Sequence, residues 1–464
     1  MPFSMNDRLL DYDVFPKVFR CGKETEFHIR PQGARPQFTP GETYQLIICA
    51  LEQGNPTEFP LSADFRKYEV KADENGGFTH SHTFDTEQMY FLRFEDANGN
   101  RIVQFPVYAV EDDLAGRYPF IGDLHMHTNR SDGRQTPPVV AANYRRHGYD
   151  FTVISDHRRY WPSLEAIDAY KDVPLEFTIV PGEEVHLPPV DGMKNAVHIV
   201  NFGGEYSINA LTDGDHIAEK GTDPKYRSIN GVCPDSMPKP VFDDMMRKLI
   251  AEADLPEGID PYAAVCCKWI FDEIRKAKGL GIFAHPTWIA NVYHVPEKFT
   301  EYLMETQPFD AFEVLGGENY YEQNGFQTIR YYEDRAKGRR YPIVGSTDSH
   351  NSYASSRNAL ICSTIIFAPE NERTALIDSV KKFYSVAVDT ISTEYRLVGE
   401  NRLVRYACFL LDNYFPLHDE LCAEEGRLMR AYVTGTPEEK EEAAKTLKVI
   451  HGRMKRLREK IFAF

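Results

Sequence analysis

The sequence predicts an α/β barrel preceded by a β-sandwich-like domain and followed by a helical tail. Three observations carry that reading. Residues 1–115 hold short β-prone runs separated by turn residues. Residues 116–395 alternate strand-like and helix-like segments. Residues 396–464 have helical periodicity throughout.

In the first region, Phe27–Ile29, Tyr44–Ile48, Tyr90–Phe94 and Ile102–Phe105 are β-prone. Pro40-Gly41, Asn75-Gly76-Gly77 and Ala97-Asn98-Gly99-Asn100 punctuate them, a spacing typical of sandwiches. In the second region, Phe120–Leu124 reads as a strand, and Pro137–His147 as a helix begun by proline and ended by Gly148. Phe151–Ile154, Phe177–Val180, Gly281–Ala284, Phe312–Leu315 and Ile343–Gly345 follow as strands. Helices are expected over 164–170, 270–278 and 327–337. Strand and helix in alternation imply a parallel sheet. The rhythm breaks over about 204–265, which reads as an insertion. In the tail, Thr436-Pro437-Glu438-Glu439 forms a capping box, and the spacing predicts one helix over about 437–462. Its stripe of Leu447, Ile450, Met454, Leu457 and Ile461 needs a surface to cover it. That surface is either the chain's own barrel or a second copy in a homo-oligomer.

The chain has 464 residues, 42% hydrophobic and 27% charged, enough to bury a sizeable core. Its 70 acidic residues outnumber 53 basic ones, for a formal charge of −17, which disfavours nucleic acid and anionic membrane as partners. No leader-like or membrane-spanning run is evident, and the eight scattered cysteines form no Cys-x-x-Cys motif. Reduced thiols and a cytoplasmic address are the expectation.

The chemistry-bearing residues fall just after predicted strands. Asp123-Leu124-His125-Met126-His127 and Ser131-Asp132-Gly133 follow the first, Ser155-Asp156-His157 the second, and Pro181-Gly182-Glu183-Glu184 the third. His198, Ala284-His285-Pro286 and Ser346-Thr347-Asp348-Ser349-His350 complete the series. In a parallel barrel the C-terminal strand ends open on one face, so these groups would meet there. A His-x-His pair on extended chain points both rings to one side, and Asp348 with His350 repeats the spacing. Imidazoles and carboxylates in one pocket call for divalent cations.

These spacings resemble the polymerase-and-histidinol-phosphatase (PHP) family of metal-dependent phosphoesterases. The resemblance covers roughly residues 118–390 without the insertion. It implies a distorted (β/α)7 barrel with two or three divalent ions of zinc, manganese or iron. Carried over, the ligands are His125, His127, Asp132, His157, Glu184, His198, His285, Asp348 and His350. Asp123 and Asp156 would orient histidines from a second layer. The family usually places another acid after the Asp-His pair, where this chain has Arg158-Arg159-Tyr160.

Arg130, Arg134, Arg158 and Arg159 flank ligand motifs and are candidates for binding an anionic small-molecule substrate, with Arg357 a weaker one. Each is also readable as a solvated loop residue. His186 shares a strand face with Glu184, and His294 is a candidate for the pocket entrance. His80-Ser81-His82 lacks nearby acids and His147 sits at a helix end, so both read as structural. The expected activity is hydrolysis of a small phosphate monoester by metal-activated water. The alternatives are a carboxylic ester, lactone, amide or carbohydrate-derived substrate, and a non-catalytic metal-bound scaffold.

Overall fold

The computed structural model describes residues 11–32, 38–53, 65–212, 236–289, 291–316, 321–353, 362–390 and 396–464. The chain divides into two compact units, one of residues 1–118, 401–421 and 452–464, the other of 119–400 and 422–451.

In the first unit, β1 (Tyr12–Phe15), β3 (Glu24–Pro31) and β6 (Phe78–Thr83) form one sheet. The other contains β2 (Val18–Arg20), β8 (Arg101–Val110), β7 (Gln88–Glu95), β4 (Thr43–Ala50) and β5 (Arg66–Lys71), with the terminal strand Phe462–Ala463 beside β2. Alternate residues point inward, as the pleat requires: Phe27 and Ile29 from β3 meet Leu92 and Phe94 from β7 in one core. Phe38 packs edge-on against Phe78 and Phe94, with ring centroids 4.7 and 5.2 Å away. Two sheets over one core make this a sandwich. His82, on β6, is buried with Nδ1 3.2 Å from the Tyr68 hydroxyl, a structural contact.

The second unit holds β9 (Tyr118–Asp123), β10 (Phe151–Val153), β11 (Thr178–Val180), β12 (Gly182–His186), β13 (His198–Phe202), β14 (Leu280–Phe283), β15 (Ala311–Leu315), β16 (Ile343–Gly345), β17 (Cys362–Ala368), β18 (Ser385–Asp389) and β19 (Arg396–Val398). Here the structure departs from the expected barrel. The described strands form two sheets, ordered β11-β10-β9-β17-β18-β19 and β12-β13-β14-β15-β16, and no ladder among them closes into a ring. Nor are they all parallel, because β12, β13 and β14 alternate in direction, as do β17, β18 and β19.

The reasons are local. Between β11 and β12 stands Pro181, which has no N–H to give a ladder. Its carbonyl instead accepts from Gly203 N at 2.8 Å. At the other seam a side chain replaces the ladder: the Thr364 hydroxyl accepts from Gly345 N at 2.8 Å and donates to Gly345 O at 2.7 Å. Isolated bridges pair Met126 with Ser349 and His157 with Glu184. Both sheets feed one core, in which Val185, Ile199, Phe283 and Phe312 join Cys362, Ala387 and Val398. The described part of the insertion packs there too, through Phe242 and Met246 of the Lys239–Glu252 helix. Residues 213–235 and Arg357 lie outside the described residues.

The single C-terminal helix is also corrected. It breaks into Pro437–Ile450 and Arg453–Ile461 at Gly452, whose φ of +86° is glycine territory. The apolar stripe therefore divides. Leu447 and Ile450 join Met126, Tyr144 and Met429 in the second unit's core. Met454 and Ile461 are buried in the first unit, where Met454 Sδ accepts from the Tyr414 hydroxyl at 3.8 Å. The capping box is present, with Thr436 N donating to Glu439 Oε2 at 2.8 Å and Glu439 N to Thr436 Oγ1 at 3.3 Å. No described helix is long and apolar enough to cross a membrane.

A buried ion pair anchors the Phe415–Thr434 helix in the second unit. Arg145 is 1% exposed and donates to Glu425 Oε2 at 2.5 Å, Tyr149 O at 3.0 Å and Asp150 Oδ1 at 3.3 Å. Arg145→Ala would leave two buried carboxylates uncompensated, a loss of about 3–5 kcal/mol. Differential scanning calorimetry should find the unfolding temperature lowered by about 5 °C; an unchanged transition would contradict this role.

Candidate metal centre

The cluster is assembled after the ends of β9, β10, β14 and β16, at the start of β13 and in the middle of β12. His125 and His127 follow β9 and turn to one side, as the period of two requires. His125 Nε2 lies 3.5 Å from Glu184 Oε2 and 3.4 Å from Asp348 Oδ1. His127 Nε2 lies 3.4 and 2.9 Å from the same two oxygens. On β12 the pleat separates two neighbouring acids. Glu183 faces away and accepts from Ser207 Oγ at 2.8 Å and Ile208 N at 2.5 Å. Burial pushes its carboxyl up to about 7 despite those bonds. Glu184 enters the cluster, with Oε1 2.6 Å from His198 Nδ1 and 3.4 Å from His285 Nε2, and Oε2 2.5 Å from His157 Nδ1.

A second group forms the rim. Asp132 Oδ2 is 3.3 Å from both His157 Nε2 and His350 Nε2. The Asp132 side chain is 53% exposed, so the cluster opens to solvent here. Asp348 and His350 do not repeat the His-x-His device. Asp348 has a φ of +47°, which turns its carboxylate inward and leaves His350 at the rim. All nine residues carried over as ligands thus stand in one connected cluster.

The donor set fits divalent ions. Six of these nine nitrogen–oxygen separations fall at 3.3–3.5 Å, while His127–Asp348, His198–Glu184 and His157–Glu184 are shorter, at 2.9, 2.6 and 2.5 Å. Ligands held at 2.0–2.1 Å on one tetrahedral ion lie ~3.3 Å apart, whereas a charge-assisted hydrogen bond is shorter by about half an ångström. His125 Nε2, His198 Nδ1, His285 Nε2 and both Glu184 oxygens are buried without a hydrogen bond. Burial alone would raise the Glu184 carboxyl, but positive charge at His198, His157 and His125 outweighs it and holds the group well below the usual carboxylate range. A bound cation would act in the same direction. Donor atoms also gather as His127, Asp132, His157 and His350, as His125, His127 and Glu184, and as His198, His285 and His294.

The supporting residues differ from the expectation. Asp123 and Asp156 reach backbone and hydroxyl groups of the ligand loops rather than imidazoles. Asp123 accepts from His125 N at 3.1 Å, Thr347 N at 3.0 Å and Thr347 Oγ1 at 2.5 Å. Asp156 accepts from Thr128 N and Ser131 N, each at 2.9 Å, and from both hydroxyls. A carboxylate that does orient an imidazole is Glu313, which sequence reasoning missed. Its Oε2 is 3.0 Å from His125 Nδ1, which fixes the proton there and leaves Nε2 for the cluster. The available signal was a charge inside the apolar run Phe312-Glu313-Val314-Leu315, on a strand whose residues are all buried.

His186 and His294 both enter the cluster: His186 Nε2 is 3.0 Å from His157 Nδ1, and the His294 ring packs 4.5 Å from that of His198. The arginines separate. Arg130 forms a two-point pair with Glu165, at 2.9 and 2.8 Å, and lies over Trp161. Its guanidinium is thereby engaged by Glu165. Arg134 is exposed, with its backbone N on His350 O at 3.0 Å. Arg158 and Arg159 are half-buried; the charges of Asp156 and Asp132 reach Arg159, and that of Arg158 reaches His186.

No protein-family model matches the chain, and no curated protein does. Among solved structures, similarity extends to a two-domain protein containing a predicted PHP-like metal-dependent phosphoesterase from Bacteroides vulgatus. That match has 16% identity, covers 62% of this chain and 69% of that one, and has a TM-score of 0.39. A protein assigned as a metal-dependent phosphoesterase from Bifidobacterium adolescentis shares 17% identity over 49% of this chain and 87% of that one, with a TM-score of 0.32. An amidohydrolase from Chromobacterium violaceum shares 19% over 50% and 87%, with a TM-score of 0.29. At these values the case for function rests on the site itself.

Removing the carboxylate that touches most of the cluster should lower its metal content. Elemental analysis of Glu184→Ala should show at least one fewer metal equivalent per chain than wild type. Glu313→Ala should keep the ligands but bind metal about 10–100-fold more weakly. Wild-type metal content and affinity in both variants would refute the assignment.

Proposed function

We propose that the chain is a metal-dependent hydrolase that cleaves small phosphate monoesters, using two or three divalent ions of zinc, manganese or iron. One observation carries the reading: buried imidazole and carboxylate donors, several spaced like ligands of common ions and several without a hydrogen bond, meet beside a solvent-open rim. When bound, the ions supply Lewis acidity, polarising a phosphoryl oxygen and making water acidic enough to ionise near neutral pH.

The chain's own residues supply the rest. Glu184 offers one oxygen to each side of the cluster, Oε1 toward His198 and His285, and Oε2 toward His125, His127 and His157. The fully buried His125 and Glu313 keep the inner wall dry, which strengthens electrostatic contacts. At the rim, Asp132, His157 and His350 face the approach of substrate. Arg158 and Arg159, beside that rim, have the donors to hold phosphate oxygens, where guanidinium pairs are bidentate and charge-assisted. Arg158 N donates to Glu184 O at 2.8 Å, so the arginine-bearing turn and the central acid are held together.

Metal-loaded protein should release inorganic phosphate from a panel of small monoesters. Arg159→Ala should lower kcat/KM by about 10²-fold, the scale of one lost charge-stabilising contact at the transition state. A panel flat on phosphates but active on carboxylic esters, lactones, amides or glycosides would overturn the phosphate assignment and keep the hydrolase. Metal-loaded protein inert on every class would favour a metal-bound scaffold.

A further inference from the structure

We propose that His294 is a metal ligand, joining His198 and His285 at an ion on the Oε1 side of the cluster. The inference rests on the metal-dependent reading above and extends it to a residue outside the nine carried over from the family resemblance.

Local backbone geometry brings the residue in. His294 lies nine positions after His285, yet their ring centroids are 5.7 Å apart. The chain between them folds back on itself. Trp288 N donates to His285 O at 3.0 Å, His294 N to Trp288 O at 2.7 Å, and Val295 N to Pro286 O at 3.1 Å. A bridge pairs Ile289 with Tyr293. His285 and His294 thus stand at the two ends of a closed clasp, with donor nitrogens within 4.8 Å of each other and of a nitrogen of His198.

The ring is held as a ligand's would be. It meets His198 edge-on at 4.5 Å and Trp288 edge-on at 4.6 Å, which fixes its plane. Its Nδ1 is buried and makes no hydrogen bond, and both ring nitrogens of His285 share that condition. A buried imidazole nitrogen with neither solvent nor partner is unfavourable unless something else takes its lone pair. An ion takes one nitrogen from each ring, so ligation would satisfy His294 and one of the two open nitrogens of His285.

The chemistry of the set indicates which ion. The Oε1 side offers the imidazoles of His198 and His285, joined by His294, beside one Glu184 oxygen, with Asp348 Oδ2 3.8 Å from His285 Nε2, while His125, His127, His157, Asp348 and Glu184 Oε2 offer three imidazoles and two carboxylates. A nitrogen-rich set suits zinc, whereas the more oxygen-rich set is better matched to manganese or iron.

The test uses the full chain, with zinc and cobalt as probes. His294→Ala should lose one zinc equivalent to a competing chelator at least 10-fold more readily than wild type. Tyr293→Ala, which removes a 45% exposed neighbour from the same clasp, should hold zinc as wild type does. Cobalt-loaded His294→Cys should develop a sulfur-to-cobalt charge-transfer band absent from wild type, which reports direct ligation and stays readable if the alanine variant is poorly folded. Unchanged zinc retention in His294→Ala, equal loss in Tyr293→Ala, or no such band in His294→Cys would overturn the assignment. Wild-type protein that binds neither metal would instead remove the underlying metal-dependent reading.

Discussion

One buried carboxylate sets the terms for the second unit. Glu184 has no solvent exposure and neither of its oxygens makes a hydrogen bond, yet it faces imidazoles of His125, His127, His157, His198 and His285. Taking a carboxylate out of water costs several kcal/mol unless opposite charge and donors replace the lost hydration. Protonated histidines can supply that charge only by repelling one another, whereas divalent ions supply it and use the imidazoles as neutral ligands. The cluster is therefore best understood as a structure completed by metal.

The fold is arranged to bring that acid in. Glycine at 182 is required, because a Cβ there would sit 2.4 Å from Asn201 O, and this close approach seats β12 against β13. The places where the sheets fail to close are the places where ligands gather. His157 bridges to Glu184 at one seam, and Met126, between the first two histidines, bridges to Ser349 at the other. Interrupted ladders free backbone groups, and Asp123 and Asp156 satisfy several of them. The two acids hold the ligand loops by their backbones, which explains why both are fully buried without touching a ligand ring.

Much of this was legible in the sequence, for identifiable reasons. Residues after strands, such as His125, His157 and His285, could be placed because strand periodicity is local and the parallel part of the fold gathers strand ends. The choice of Glu184 over Glu183 agrees with the pleat, which sends the two acids to opposite faces. Features set by tertiary context were not legible. The break at Gly452 interrupts an otherwise continuous apolar stripe, and only the packing of Leu447 and Met454 in different units reveals it. Loop closure brings His294, which the sequence offered only as a candidate for the pocket entrance, to His198. Glu313 did leave a trace, a charge in an apolar strand, but its partner His125 is 188 residues away. The open seams depend on Pro181 and on the Thr364 hydroxyl, single residues within otherwise ordinary strand patterns.

Anomalous diffraction from metal-loaded crystals, collected on both sides of the metal absorption edge, tests the central claim most directly. The account predicts anomalous peaks within ~2.0–2.2 Å of each Glu184 carboxylate oxygen, with histidine nitrogens completing each coordination shell. Crystals with no anomalous density at Glu184, and with its oxygens hydrogen-bonded to protonated histidines or ordered water instead, would contradict it.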